Sequence, residues 1–204
     1  MKTTTNLFTI EGKGNFFNRY SLHCFVYQLM ACGIDDFQRD FIFGVTKDHH
    51  GKPQISILTD REVVSIPPHR TDFQVKKTPI RLTGYDVVYF SCLFAIKDED
   101  GKDQINYIHD KGTVEDKFLR KLSYNGKAVV VKPGMKIGSP EKLMGKGGPV
   151  FAYRVSGVLK VVDDELFAKV MTQPIGSLAY IGLGMLEMPW NPVHVENPFG
   201  WKID

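Results

Sequence analysis

Cysteine and long apolar stretches are both scarce in this sequence, and each shortage excludes a class of protein. The 204 residues include three cysteines, Cys24, Cys32 and Cys92, with no Cys-x-x-Cys pair. This odd number indicates neither a disulfide framework nor a zinc knuckle, so we interpret all three as small buried hydrophobic residues. No apolar run approaches the roughly 20 residues that cross a bilayer. Because residues 1–6 also lack the pattern of a signal peptide, we expect a cytoplasmic protein.

Several catalytic motifs are also missing. The glycine-rich run at 145–148 fails as a P-loop, because Pro140 stands at its first glycine position and Gly147 replaces the required Ser or Thr. No Gly-x-Ser-x-Gly motif occurs, so no Ser-His-Asp order is indicated. His49 and His50 have no acidic partner at a ligand spacing. We therefore exclude nucleotide hydrolysis through a P-loop and expect neither a metal site nor a cofactor.

The composition is that of a globular protein with a mild excess of positive charge. Hydrophobic residues make up 43% of the chain, which is enough for one sizeable core or two small ones. The formal net charge of +3 is compatible with an anionic partner but does not require one. The placement of the basic residues therefore carries more information than their sum.

The first 80 residues show the order strand, helix, strand, strand, short helix, strand. The pattern predicts a strand at 7–10, a helix at 17–30 that Gly33 ends, a hairpin of strands 41–45 and 54–58, and a strand at 73–76. This β-α-β-β-(α)-β order is typical of a ferredoxin-like unit.

The rest of the chain repeats that order more loosely. The predicted elements are a strand at 87–96, a basic helix at 114–122, a strand at 151–162, a helix at 164–172 capped by Asp163 or Asp164, and a strand at 185–188. The segment 132–149, rich in glycine, lysine and proline, is long enough to be a functional loop. We predict an α+β protein of tandem ferredoxin-like domains, an N-terminal domain at 1–80 and a C-terminal domain at 81–204.

Three residues of the first predicted helix indicate chemistry on a phosphate. Tyr20 and His23 are three residues apart, which places their side chains on one helix face. Cleavage of RNA by its own 2′-hydroxyl needs a base for that hydroxyl and an acid for the departing 5′-oxygen, and histidine suits this because its unperturbed pKa is about 6.5. Arg19, four residues before His23, is a candidate to neutralise charge on a phosphorane. The alternative is that His23 is a structural histidine in an otherwise apolar helix.

Two features of the second half are candidates for contact with RNA. Lys117, Arg120 and Lys121 lie near one face of the basic helix, and a stripe of this kind can track the phosphates of an RNA stem. The predicted loop adds Lys132, Lys136, Lys142 and Lys146. A later turn contains Gly176, Gly182 and Gly184, and glycine lets a backbone approach a phosphate closely. The alternatives are a solvated basic surface and an ordinary turn.

Four sequence blocks carry a resemblance to a known family. They are Tyr20-Ser21-Leu22-His23, Arg39-Asp40-Phe41-Ile42-Phe43-Gly44-Val45, Phe118-Leu119-Arg120-Lys121-Leu122, and the closing set Gly157-Val158-Leu159, Ile175-Gly176 and Gly182-x-Gly184-x-Leu186. In this order they resemble the CasE-type CRISPR RNA endoribonucleases, the processing subunits of Cascade complexes in the RAMP superfamily. Some members of that family carry a lysine in the glycine-rich turn, where this chain has Ala179 and Tyr180.

The resemblance implies a fold and a reaction. It implies two ferredoxin-like domains, cleavage at the 3′ base of a repeat hairpin, a 2′,3′-cyclic phosphate product, and retention of the mature crRNA with other Cascade-like effector subunits. Tyr20 and His23 match the tyrosine and histidine of the family. Two other functions stay open: a non-catalytic subunit that binds the crRNA hairpin, and a metabolic or regulatory ferredoxin-like domain that binds no RNA.

Overall fold

The computed structural model describes residues 5–12, 18–31, 40–47, 52–61, 73–80, 87–97, 107–125, 129–131, 135–145, 147–176 and 178–188. These residues form nine strands, three α-helices and a single 3-10 turn at Ala179–Ile181. Within these ranges, no helix has the length and apolar character needed to span a membrane.

The first sheet has the strand order of a ferredoxin-like unit. Its strands are β1 (Thr5–Gly12), β2 (Phe41–Lys47), β3 (Pro53–Thr59) and β4 (Phe73–Ile80), and helix α1 (Arg19–Ala31) follows β1. The order across the sheet is β2-β3-β1-β4, and all neighbours are antiparallel. The helix predicted between the third and fourth strands falls outside the described residues.

Alternation along the strands gives this sheet two apolar faces. Phe8 and Ile10 of β1 pack in a cluster with Leu22 and Val26 of α1. The intervening Leu7 belongs to a second cluster, together with Ile42, Leu58, Ile80 and Met185. Since side chains alternate between the faces of a strand, α1 covers one face, and a residue from the far end of the chain contacts the other.

The second sheet repeats the same topology with one added strand. Its elements are β5 (Val87–Phe94), α2 (Lys111–Asn125), β6 (Val129–Val131), β7 (Lys136–Gly145), β8 (Gly148–Val161), α3 (Asp164–Thr172) and β9 (Leu186–Glu187). The strand order is β6-β8-β5-β9. Strand β7 also pairs directly with β8, along the residues of β8 that precede those paired with β6. The tandem ferredoxin-like α+β fold predicted from the sequence is therefore confirmed.

Helices α2 and α3 cover one face of the second sheet. Phe118 of α2 is fully buried, with its ring 5.7 Å from that of Phe90 and 5.3 Å from that of Phe94. Phe167 of α3 lies in the same cluster. Cys92 is buried there too, and burial raises the pKa of its thiol, which agrees with the predicted role of a small hydrophobic residue.

Capping residues set where α2 and α3 begin. The Asp163 carboxylate accepts hydrogen bonds from the backbone N–H groups of Glu165 and Leu166, at 2.9 and 3.0 Å, which confirms the predicted N-cap. Asp110 accepts from the N–H and the hydroxyl of Thr113, and these bonds lower the pKa of its carboxyl. Because this cap precedes Lys111, α2 begins three residues before the helix predicted from apolar spacing.

The segment 132–149 is largely sheet, so its prediction as a functional loop was wrong. Strand β7 runs along β8 from Lys136, paired with Ser156, to Gly145, paired with Gly148. A register shift between Ile137 and Pro140 accommodates the proline, which is tolerated at an edge strand or a bulge. Turn-forming residues therefore gave a misleading signal for this hairpin.

The other predicted strands and helices have observed counterparts whose ends differ by a few residues. All strands of the first sheet lie within 5–80, and all strands of the second lie within 87–187. The division into domains 1–80 and 81–204 stays a prediction, and the predicted stop at Gly33 lies outside the described residues.

Candidate active site

Helix α1 presents two different faces to its surroundings. Leu22, Val26 and Leu29 are buried, each at or below 3% exposure, and they form the stripe that packs on the first sheet. Tyr20 is exposed and His23 is half-buried, so both lie beside this stripe rather than in it. The predicted shared face of Tyr20 and His23 is therefore present, and it is open to solvent.

The imidazole of His23 is anchored by the second half of the chain. Its Nδ1 lies 2.8 Å from the backbone carbonyl oxygen of Tyr180. A carbonyl only accepts, so Nδ1 must carry the proton and donate it. The Nε2 atom then holds either a lone pair or a second proton, and one ring nitrogen is left for proton transfer.

Three tyrosines surround this imidazole. The ring centroids of Tyr20 and Tyr27 lie 6.2 Å and 4.2 Å from that of His23, and the Tyr180 ring meets it edge-on at 5.9 Å. Tyr20 and Tyr180 are 39% and 38% exposed, so two of the three rings are accessible from solvent. The site therefore combines one histidine with accessible phenol groups.

The glycine-rich turn sets the position of the Tyr180 carbonyl. Gly182 has φ +76°, and a Cβ placed there would lie 2.8 Å from Cε2 of Phe43 in the first sheet. Gly184 has φ +81°, a Cβ there would collide with the carbonyl of Ile175, and its N–H donates to the Leu93 carbonyl at 2.9 Å. Only glycine meets both conditions, because a left-handed backbone and a close neighbour each disfavour a side chain.

These contacts give the glycines of the turn a structural role. Gly182 and Gly184 are buried, and they approach protein atoms rather than an open surface. Gly176 is half-buried, with φ +98° and Phe94 next to its hypothetical Cβ. The structure gives all three a packing role, and their predicted contact with phosphate stays untested.

The structure places Arg19 in a buried position, and its predicted role at a phosphorane stays untested. The residue is 4% exposed, and its Nε and Nη1 atoms are buried without a hydrogen-bond partner among the described residues. Burial lowers the pKa of Arg19 to about 10, and the charge of Glu141 acts in the opposite direction. Arg19 is in phase with Leu22 and Val26 at helical spacing, which explains why it is buried with them.

The charges of a cluster on the second sheet act on the pKa of Arg19. Nη1 of Arg154 donates to Oε1 of Glu187 at 2.8 Å and to the Ser91 hydroxyl at 3.3 Å, and its Nε lies 3.8 Å from Oε1 of Glu141. Burial raises the pKa of Glu187, while Arg154 and Arg19 both act to lower it. We call Arg19, Glu141, Arg154 and Glu187 the junction cluster.

The predicted RNA-binding residues occupy two elements of the second half. On α2, Arg120 is exposed, and Lys117 and Lys121 are half-buried beside the core stripe. On β7, Lys136 and Lys142 are both exposed and lie near opposite ends of the strand. Lys132 and Lys146 fall outside the described residues.

Strand β7 also contacts the start of α1. Met144 pairs with Asn18, the residue just before the helix, in an isolated bridge. Lys142, two residues before Met144, therefore lies close in the chain to the junction with α1, whereas Lys136 is six residues further away.

In the part of the chain that the structure describes, no three His, Cys, Asp or Glu side chains form a group able to hold a metal ion.

Sequence reasoning missed Tyr27, although it lies four residues after His23 and so one helical turn away. It also missed the Tyr180 carbonyl and the charged residues Glu141, Arg154 and Glu187, for which the sequence offers no local signal.

Comparison of this chain with known proteins identifies its fold through solved structures. No protein-family model matches the sequence, and no curated protein matches it. Among solved structures, the chain has the tandem ferredoxin-like fold of Cse3 from Thermus thermophilus bound to an RNA representing a pre-cleavage complex. The TM-score is 0.73 and the identity 16%, over 91% of this chain and 98% of that one.

Two further structures share this fold. One is Cas6e from Escherichia coli K-12, with a TM-score of 0.61 and 19% identity over 90% of this chain and 98% of that one. The other is a chain of a CRISPR RNA-guided surveillance complex, with a TM-score of 0.57 and 12% identity over the same shares. At these identities the likeness establishes the fold.

We predict that Gly184→Ala destabilises the protein by about 1–3 kcal/mol, because alanine would need a left-handed backbone and would meet the Ile175 carbonyl. Urea unfolding of both proteins measures the difference. Gly147→Ala is the matched control, since a Cβ there meets nothing within 4 Å, and it should change stability by no more than about 0.5 kcal/mol. Equal stability of the two variants would contradict this account of the turn.

Proposed function

We propose that this chain is a metal-independent endoribonuclease that cleaves CRISPR precursor RNA at the 3′ base of the repeat hairpin. The observation that carries the proposal is the His23 imidazole, held through Nδ1 by the Tyr180 carbonyl and flanked by the exposed Tyr20. The shared fold with Cse3 bound to RNA, and with a chain of a CRISPR surveillance complex, supports this substrate. The same likeness supports retention of the mature crRNA with Cascade-like subunits.

In the proposed reaction, the 2′-oxygen attacks the neighbouring phosphorus and the bond to the 5′-oxygen of the next nucleotide breaks. Nε2 of His23 takes the proton of the 2′-hydroxyl, because Nδ1 already carries a proton and donates it to Tyr180. The Tyr20 hydroxyl gives its proton to the departing 5′-oxygen, and the resulting phenolate takes back the proton that Nε2 of His23 removed from the 2′-hydroxyl. The products are a 2′,3′-cyclic phosphate and a 5′-hydroxyl, so no water is consumed.

Binding of the hairpin is assigned to the basic residues of the second half. Lys117, Arg120 and Lys121 share one side of α2, and cations spaced along a helix can follow a phosphate backbone. Lys142 of β7 lies nearer to the start of α1 and is assigned to a phosphate close to the cleavage point. Shape and charge, rather than base contacts, then dominate affinity for a double-stranded stem.

His23→Ala should lower the cleavage rate by at least about 100-fold, because general acid-base catalysis is lost, while hairpin affinity stays within a fewfold. The assay is single-turnover cleavage of a labelled repeat hairpin RNA in excess EDTA, with the product tested for a cyclic phosphate. His109→Ala, which removes a histidine ahead of α2, is the control and should cleave normally. Stable binding without any product from the unaltered protein would support the non-catalytic subunit instead.

Tyr20→Phe should slow cleavage by about tenfold, which corresponds to about 1.4 kcal/mol of transition-state stabilisation. The ring that lies beside His23 is kept, and only the hydroxyl is removed. Cleavage rate and hairpin affinity are measured together, and affinity should not change. A Phe variant that cleaves at the normal rate would remove Tyr20 from the mechanism.

Arg120→Ala should weaken hairpin binding and reduce the slope of log affinity against log salt by about 0.7–0.9, the change expected when one phosphate contact is lost. Lys169→Ala, an exposed lysine of α3, is the matched control and should leave the slope unchanged. Fluorescence anisotropy over a range of KCl concentrations measures both. Identical slopes for the two variants would exclude α2 from the RNA interface.

A further inference from the structure

The junction cluster brings charge from both halves of the chain together at the first turn of α1. Arg19 belongs to α1, whereas Glu141, Arg154 and Glu187 belong to β7, β8 and β9 of the second sheet. Without Arg19, the second sheet contributes two carboxylates and one guanidinium to this point. Arg19 therefore balances a negative charge on the second sheet.

Two observations argue against direct contact between Arg19 and RNA. The side chain is buried among protein groups. The charges nearest to it include Glu141 and Glu187, whose carboxylates would repel a phosphate. Attraction to these carboxylates instead offsets part of the cost of burying a guanidinium.

The same place holds a second link between the halves. Asn18 and Met144 pair through their backbones immediately before Arg19, and Met144 is three residues beyond Glu141 on the same strand. His23 lies four residues further along α1, which is about 6 Å along the helix axis at 1.5 Å per residue. A shift of the first helical turn would therefore reach the His23 imidazole.

We propose that Arg19 is a positioning residue, which holds the start of α1 on the second sheet so that Nδ1 of His23 stays bonded to the Tyr180 carbonyl. The hydrogen bond is 2.8 Å long, and a displacement of about 1 Å would bring it beyond bonding distance. The effect of Arg19 on cleavage rests on the proposed ribonuclease function. The effect of Arg19 on the position of the imidazole is independent of that function.

Three variants separate charge from shape. Arg19→Met keeps an unbranched side chain but removes the charge, and Arg19→Lys keeps the charge. Glu187→Gln removes one attracting carboxylate and leaves α1 unaltered, so it tests the same link if Arg19→Met fails to fold. For each variant, nitrogen-15 NMR of the His23 ring records which nitrogen carries the proton, and single-turnover assays with a repeat hairpin RNA give cleavage rate and affinity.

We expect Arg19→Met to lose the NMR signal of the Nδ1 proton that is bonded to the Tyr180 carbonyl. Because misplacement of a catalytic group by about 1 Å can cost about 100-fold in rate, this variant should cleave about 10- to 100-fold more slowly. Its affinity for the hairpin should stay within about threefold. Arg19→Lys should recover the signal and most of the rate. Glu187→Gln should change both measurements in the same direction as Arg19→Met, by a smaller amount.

An Arg19→Met protein that cleaves slowly while its His23 signals stay unchanged would overturn the proposal, because Arg19 would then act on the RNA itself. Normal His23 signals and a normal rate in Glu187→Gln would overturn it as well. If the unaltered protein cleaves no RNA, the ribonuclease function fails, and the NMR comparison of Arg19→Met with Arg19→Lys still decides whether Arg19 positions His23.

Discussion

The hydrogen bond from His23 to the Tyr180 carbonyl joins residues 157 positions apart and therefore depends on how both halves of the chain pack. Helix α1 must lie on the first sheet to present the imidazole, and the turn before β9 must lie on the second sheet to present the carbonyl. Met185, which follows that turn, packs in one buried cluster with Leu7 and Ile42 of the first sheet and so links these parts. The chemistry of one ring therefore requires both halves of the chain.

Local signals were sufficient to predict the elements and part of the site. Apolar alternation and helical spacing depend on near neighbours, so the three helices, the strands of the first sheet, and β5, β8 and β9 of the second were predicted, with errors at their ends, whereas β6 and β7 were not. The pairing of Tyr20 with His23 is local too, since residues three apart share a helix face. The burial of Arg19 was missed because only its spacing from His23 was considered. Its phase with Leu22 and Val26 identifies it as part of the buried stripe.

The remaining features depend on contacts that are distant in sequence. Glu141, Arg154 and Glu187 meet only after three strands align, and no motif marks them. The glycines of the turn were predicted to contact phosphate. The atom nearest to a Cβ placed at Gly182 belongs to Phe43, in the other sheet. Strand β7 was missed because its Gly138 and Pro140 are turn-forming residues, and its pairing with β8 overrides that preference.

The partner of His23 is a main-chain oxygen, which has an evolutionary consequence. Every amino acid carries a backbone carbonyl, so replacement of Tyr180 alters the ring above the imidazole without deleting the acceptor. A substitution at this position therefore leaves the acceptor of the Nδ1 proton in place and does not by itself change which nitrogen of His23 is protonated. The heritable constraint falls instead on the backbone path, through Gly182 and Gly184.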